Sequence, residues 1–159
     1  MLNNYYICQT TIKIINMLST VKFLHSYWAY LVFVMMIIAT ANALIKHFGK
    51  KEYEAKDFRI ALFTLIVSHI QLLIGIVLWF VSDYFGENTV KEVMGNSALR
   101  SNAVEHPLTM LIAVALITIG YSKHKKKLTS AGKLKPLAIF YTIALILVIV
   151  KLPWQQWFS

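Results

Sequence analysis

Four apolar stretches constrain this chain more than any other feature. They run at about Leu24 to Ile45, Ile60 to Val81, Pro107 to Tyr121 and Leu137 to Val150. A transmembrane helix needs about 20 predominantly apolar residues to cross a hydrocarbon core about 30 Å thick. A chain of 159 residues has room for four such helices and little else. The sequence therefore predicts a multi-pass protein in contact with the lipid bilayer.

Composition and hydropathy pattern both favour an all-α fold. Hydrophobic residues make up 58% of the chain and charged residues 14%, which lies outside the averages for soluble domains. The apolar stretches are continuous and do not alternate with a period of two, so a transmembrane β-barrel is not predicted. We expect an integral membrane four-helix bundle over residues 17–159. Residues 1–16 are expected to form a short N-terminal extension or interfacial segment, with Met17 as an alternative start.

The third apolar stretch is too short to cross the membrane by itself. It reaches full length only if its helix begins upstream, near Ser97 to Glu105. Pro107 would then kink or interrupt the first turns, because proline lacks the N–H that a helix interior uses.

Basic residues are concentrated in two of the three connections between the spans. Residues 46–59 include five Lys or Arg and residues 123–135 include six, whereas residues 82–104 include only Lys91 and Arg100. Positive residues are retained on the cytoplasmic side during insertion. We therefore expect both basic connections in the cytoplasm and both termini on the outer, periplasmic side. The net charge of +9 serves this topology and attracts anionic lipid, so no nucleic-acid partner is predicted.

The five histidines divide into two groups. His47 and His124 lie among lysines of the basic connections, and we expect both to be solvated loop residues. His25, His69 and His106 lie in or at the edge of apolar spans. An ionisable residue is costly there, so each of these three is a candidate functional residue.

The depth of each histidine follows from its distance along the helix to the basic end of its span. At a rise of about 1.5 Å per residue, His25 lies about 31 Å and His106 about 26 Å from that end. His69 lies about 15 Å from it, near the middle of the bilayer. The sequence thus predicts that His25 and His106 share one level near the outer surface.

Two imidazoles on different helices at one level are suited to bis-histidine coordination of haem iron in a bundle core. Such a site would transfer single electrons, because two axial nitrogens leave no open position for a substrate. Zinc or copper would need a further ligand such as Glu105. Cys8 is the only cysteine, which excludes a Cys-x-x-Cys-His attachment site, so any haem would be held without thioether bonds. Alternatively, His25 and His106 are interfacial side chains hydrogen-bonded to backbone or water.

A polar cluster of Ser68, His69 and Gln71 lies in the middle of the second span. Such side chains can bond across helices in lipid, so helix packing is one interpretation. The others are a contact to a haem propionate, a hydrogen bond to a quinone, or iron ligation by His69 in place of His25. Gly75, one turn further on, would admit a macrocycle or a neighbouring helix.

Glu105 directly precedes His106. Neighbouring residues on a helix point about 100° apart, so Glu105 is not expected to bond the His106 ring. It would lie at the water interface with Arg100 or a propionate, or serve as an acid at a helix entry.

Three segments that each contain one of the histidines of the spans follow Met17 along the chain. They are LHSYWAY around His25, DFRIALFTLIVSHIQLLIGIVLWF around His69, and ALRSNAVEHPLTMLIAVALITIGYSKHKKK around His106, with PWQQW near the end. In these segments the chain resembles a family of short bacterial four-helix membrane proteins commonly labelled cytochrome b-like. The resemblance implies haem b in the bacterial cytoplasmic (inner) membrane.

Members of this family often carry an Arg-Trp pair shortly after the first histidine. This chain has Trp28, Ala29 and Tyr30 there, so Arg100 becomes the nearest candidate to pair with a haem propionate.

Three functions are consistent with the sequence. The first is one-electron transfer by a haem b protein to or from a quinone or a respiratory-complex subunit. The second is a haem-free accessory or assembly subunit of a larger membrane complex, and the third is a metal- or haem-handling factor for oxidase assembly. No dinucleotide fingerprint, P-loop, nucleophile elbow or zinc-protease motif is present, which favours an electron carrier or subunit over a stand-alone enzyme.

Overall fold

A computed structural model describes residues 2–152 and Trp154, apart from the side chains of residues 2–11 and of Glu87. The described residues form helices and contain no β-strand. Four stretches are long and apolar enough to cross a membrane, namely Ile12–Phe48, Ala55–Gly86, Ser97–Lys125 and Ser130–Lys151. The predicted all-α bundle with four membrane spans is confirmed.

The described residues contain four long helices, three short ones and one π-helical turn. The long helices are α1 (Leu2–Phe48), α2 (Ala55–Val81), α6 (His106–Lys125) and α7 (Ser130–Lys151). The connection between α2 and α6 contains α3 (Tyr84–Glu87), α4 (Val90–Gly95), α5 (Ser97–Arg100) and a π-helical turn (Ser101–Glu105).

The long helices run up and down in an antiparallel bundle. Helix α1 packs against α2 and α7, and α6 packs against the same two helices. Helices α1 and α6 are therefore diagonal to each other, as are α2 and α7. Loops 49–54 and 126–129 lie together at one end, where the Lys133 Nζ lies 5.0 Å from the Tyr53 ring centre. We call this the basic end, and we call the opposite end, with His25 and His106, the histidine end.

Small residues allow close packing of the helices in the bundle core. Buried alanines occur on all four long helices, at Ala39, Ala43, Ala61, Ala113, Ala138 and Ala144. A Cβ at Gly120 would lie 2.8 Å from the Phe140 Cβ, so only glycine permits this approach of α6 to α7. The Tyr141 hydroxyl crosses the bundle from α7 and donates to the Ala61 carbonyl of α2 at 3.1 Å. Small interfacial residues of this kind let membrane helices gain dispersion contacts.

Helix α1 is longer than a single membrane span requires. Its 47 residues extend about 70 Å, against a hydrocarbon core of about 30 Å. The helix continues without a break between Asn16 and Met17, where the N-terminal extension was expected to join the first span. Met1, Pro153 and residues 155–159 lie outside the described residues, and with them most of the PWQQW segment.

The third span begins upstream of Pro107, as predicted. A π-helical turn lies just before the proline. In this turn the His106 N–H donates to the Ser101 carbonyl, five residues back. Proline at 107 cannot donate to the carbonyl of Ala103, four residues back. The Trp79 Nε1 donates to that carbonyl instead, at 2.7 Å. An indole from α2 thus satisfies a backbone group that lipid could not satisfy.

A buried ion pair joins α1 to α2 at the basic end. The Asp57 carboxylate accepts from the Lys46 Nζ at 2.8 Å and from the Asn42 amide at 2.8 Å. It also accepts from the Glu54 backbone N–H at 2.7 Å, which closes a capping box at the start of α2. The Asp57 side chain is 1% exposed and that of Lys46 is 9% exposed. A buried charge needs such partners, because desolvation is otherwise costly.

Candidate functional site

The rings of His25 and His106 face each other at the histidine end. Their centres are 6.3 Å apart and their planes are inclined by 74°. His25 lies on α1 and His106 begins α6, so the two side chains meet across a diagonal of the bundle. Both residues are half-buried. The prediction that these two histidines share one level is confirmed, and iron ligation stays a prediction.

The tautomer of His106 follows from its hydrogen bond. The Nδ1 lies 3.0 Å from the Lys151 carbonyl oxygen of α7. A carbonyl can only accept, so Nδ1 carries a proton, and in the neutral form of the ring Nε2 then has the free lone pair. Metal-ligating histidines have this arrangement, in which a carbonyl orients the ring and leaves the other nitrogen available.

Helix α2 supports the His25 ring through Gln71 and Gly75. The Gln71 Nε2 donates to the His25 backbone carbonyl at 3.0 Å and lies 3.3 Å from each ring nitrogen. The Gln71 Oε1 is buried and has no hydrogen-bond partner among the described residues. A Cβ at Gly75 would lie 3.1 Å from the His25 Cε1. The expectation that Gly75 admits a neighbouring group is confirmed, and the neighbour is His25.

Glu105 pairs with cations and not with the His106 ring. Its Oε1 accepts from the Arg100 Nε at 2.9 Å and its Oε2 accepts from the Lys151 Nζ at 2.6 Å. The Arg100 Nη1 also donates to the Met94 carbonyl at 2.9 Å. The expected contact of Glu105 with Arg100 is confirmed. Lys151, which sequence reasoning missed, joins its backbone to His106 and its side chain to Glu105.

His69 lies away from the histidine pair. Its side chain is exposed on the surface of the bundle. The Nδ1 donates to the Leu65 carbonyl at 2.8 Å, and the Nε2 lies 3.5 Å from the Thr118 hydroxyl of α6. These contacts fit the helix-packing interpretation. Within the described part of the chain, Gln71 and not His69 provides the polar contact from α2 to His25.

The expectation that His124 is a solvated loop residue is wrong. It lies in the last turns of α6, is 1% exposed and donates from Nδ1 to the Tyr121 carbonyl. The rings of Tyr53, Phe58 and Tyr121 surround it, with ring centres 4.8–6.0 Å away. The spacing of Ala113, Ile117, Tyr121 and His124 at three to four residues is the sequence signal for this buried face.

His47 also lies on a helix and not in a loop. It is half-buried in the last turns of α1, with its ring centre 5.4 Å from that of Phe48. Helices α1 and α6 thus extend further into the basic connections than their lysine content suggested.

The histidine pair offers two nitrogen donors and no third ligand. Glu105, the nearest acid in sequence, has both carboxylate oxygens engaged by Arg100 and Lys151. Among the described residues there is no group of three or more His, Cys, Asp and Glu side chains that could hold a metal ion.

No protein-family model, curated protein or solved structure matches this chain. The resemblance to cytochrome b-like membrane proteins therefore stays a prediction that rests on the sequence segments around the three histidines.

Proposed function

We propose that the protein is a membrane haem b protein for one-electron transfer, in which His25 and His106 would hold the haem iron. The observation that carries the proposal is the pair of facing imidazoles on diagonal helices, with ring centres 6.3 Å apart.

The donor set fits haem better than it fits a bare metal ion. A haem would supply a one-electron redox couple and most of the ligands of its iron, so that the imidazoles of His25 and His106 would be the only protein ligands required. A structural zinc site would need four protein ligands and a catalytic site three. The pair at the histidine end supplies only two, since Glu105 is held by Arg100 and Lys151.

The surrounding residues orient the two imidazoles. The Lys151 carbonyl fixes the proton of His106 on Nδ1, which leaves Nε2 as the donor to a metal. Gln71 and Gly75 define the space of the His25 ring on α2. Arg100 has N–H groups beyond the two that bond Glu105 and Met94, and these could pair with a propionate.

The position of the site limits the kind of electron partner. The two histidines are half-buried and lie at one end of the bundle, so electrons would be exchanged at that end and not across the full membrane. The positive-inside rule assigns this end to the outer side. A quinone in that leaflet or a subunit of a respiratory complex is the class of partner that we propose.

The decisive experiment is an absorption spectrum of the detergent-purified protein from haem-replete cells, oxidised and then reduced. We expect a low-spin haem b spectrum from the wild type. His25→Ala and His106→Ala should each abolish this spectrum, because one imidazole cannot hold the iron in a six-coordinate low-spin state. The double variant should be no worse than either single variant, since both residues form one site.

His69→Ala is the matched control, because it removes a histidine of the same bundle that lies away from the pair. It should keep the spectrum. A normal low-spin spectrum in His25→Ala or His106→Ala, or a wild type without haem, would reject the proposal. The haem-free accessory subunit would then be the better account, and replacing all three histidines should leave its partner complex intact.

A further inference from the structure

An open groove lies at the basic end, between the last turn of α6 and the first turns of α7. Its volume is about 500 Å³. Three lysines line it, namely Lys123, Lys127 and Lys135. All three side chains are exposed. None of them forms an ion pair with another described residue.

The positive charge of this groove is not compensated from within the chain. No carboxylate lines the groove, and the sequence contains no Asp or Glu after Glu105. The connection between α1 and α2 is different, because Lys46 and Lys56 pair there with Glu54 and Asp57. Part of the positive charge is therefore compensated in the connection between α1 and α2, whereas no described carboxylate compensates the lysines of the groove.

The groove also has an apolar wall that continues along α7. Ile139 and Phe140 line it below the lysines, and Ile139 is 45% exposed. The Lys123 Nζ lies 5.0 Å from the Phe140 ring centre, where the charged and apolar parts meet. A ligand that fits this surface has an anionic head beside a hydrocarbon chain.

We propose that the groove binds one acidic phospholipid. Lys123, Lys127 and Lys135 contact the phosphate of the headgroup, and Ile139 with Phe140 contacts the first part of an acyl chain. Basic pockets between membrane helices recognise anionic headgroups in this way. The site is independent of the histidine pair, and so the lipid proposal stands or falls separately from haem binding.

The groove makes a prediction that general electrostatic attraction does not. If only net charge mattered, removing any three exposed lysines at the basic end would weaken lipid binding equally. If the groove is the site, only the removal of the lysines that line it should weaken lipid binding strongly. Lys50, Lys51 and Lys56 provide the matched set, because they are exposed at the same end but lie in the other loop and at the start of α2.

Native mass spectrometry of the full chain in neutral detergent tests this, with phosphatidylglycerol or phosphatidylcholine added at equal concentration. We expect the wild type to retain one phosphatidylglycerol and to prefer it over phosphatidylcholine. The triple variant K123Q/K127Q/K135Q should bind it about 100-fold more weakly, since each lysine near an anionic lipid contributes about fivefold. The control K50Q/K51Q/K56Q should stay within about twofold of the wild type, because its lysines lie outside the groove and salt screens their attraction to a lipid bound there.

A second variant separates loss of charge from loss of fold. K123R/K127R/K135R keeps the charges and should retain phosphatidylglycerol. Equal losses in the groove variant and the control variant would overturn the proposal, because general attraction would then suffice. Equal retention of the two lipids, or full displacement of phosphatidylglycerol by inorganic phosphate, would also overturn it. The latter result would assign the groove to free phosphate and not to lipid.

Discussion

The histidine end and the basic end of the bundle each contain histidines and an ion pair, but the histidines differ in solvent access and in the side chains around them. At the histidine end, His25 and His106 are half-buried and face each other. At the basic end, His124 is 1% exposed and enclosed by three aromatic rings. A histidine in this bundle is therefore a candidate ligand only where a second imidazole faces it.

The ion pair of the basic end is also more deeply buried than that of the histidine end. The Lys46–Asp57 pair is almost fully buried, whereas the side chains of Glu105 and Lys151 are 32% and 33% exposed. Removing one partner of a buried ion pair costs about 3–5 kcal/mol, while exposed pairs contribute about 1 kcal/mol or less. The ion pair of the basic end should therefore contribute more to the stability of the fold than the ion pair of the histidine end.

The largest expected effect concerns which end faces the outside. In a Cys8→Ser background, Val90→Cys places a thiol in α4 and Leu128→Cys places one in the loop of the basic end. Both wild-type side chains are well exposed, at 67% and 97%. The positive-inside rule predicts that an impermeant thiol reagent labels residue 90 and not residue 128 on intact cells. The reverse pattern would place the histidine pair at the cytoplasmic face.

The next largest effect tests the two ion pairs. Asp57→Ala leaves a buried cation without its carboxylate and also removes the hydrogen bonds from Asn42 and the Glu54 backbone. We expect it to lower the unfolding midpoint in detergent much more than Glu105→Ala does. Thermal unfolding followed by circular dichroism measures both. An equal or larger loss for Glu105→Ala would remove the contrast between the ends.

Alanine variants of two glycines compare the ends in two measurements, the stability of the fold and the absorption spectrum. At Gly120 an added Cβ would meet the Phe140 Cβ at 2.8 Å, so Gly120→Ala should force α6 from α7 and cost about 1–3 kcal/mol. At Gly75 an added Cβ would meet the His25 Cε1 at 3.1 Å, and an imidazole can shift further than a helix. Gly75→Ala should therefore alter the spectrum of the proposed haem with a smaller loss of stability.

Gly95→Ala is the control for both glycine variants, because an added Cβ there meets no atom within 4 Å. It should leave the unfolding midpoint and the spectrum close to those of the wild type. A spectral change in Gly120→Ala with none in Gly75→Ala would place the haem away from His25.

The smallest effect is a pH dependence at the basic end. A hydrogen bond from Lys46, together with the positive charges of Lys46 and Lys56, holds the pKa of Glu54 below its ordinary value of 4.5. A carboxyl whose pKa is lower in the folded state stabilises the fold above its unfolded pKa, and this contribution is lost as the pH falls through the folded value. Glu54→Gln should therefore flatten the fall of the unfolding midpoint below about pH 4.5. An unchanged slope would show that Glu54 does not contribute to it.

Several features of the fold and site follow from the sequence because they depend on position along a helix axis. The number of spans follows from apolar length, and the upstream start of the third span follows from the shortness of the run after Pro107. The shared level of His25 and His106 follows from a fixed rise per residue. The contact of Glu105 with Arg100 is one of the two that the sequence predicts for an acid at the water interface of the third span, the other being a propionate.

What the sequence left open is the rotation of each helix about its axis. In a soluble bundle the polar face reveals this rotation, but the lipid-facing side of a membrane helix is as apolar as its core. For that reason, Gln71 and Lys151 gave no sign of their contacts with His25 and His106. The prediction for His124 was wrong for a different reason, because its lysine neighbours favoured a loop although its spacing from Tyr121 and Ile117 places it on the buried face of α6. The sequence by itself determined a four-span helical membrane protein with two histidines at one level. Only the packing of α1 and α6 on α2 and α7 decided that these two histidines face each other and that His69 faces outwards.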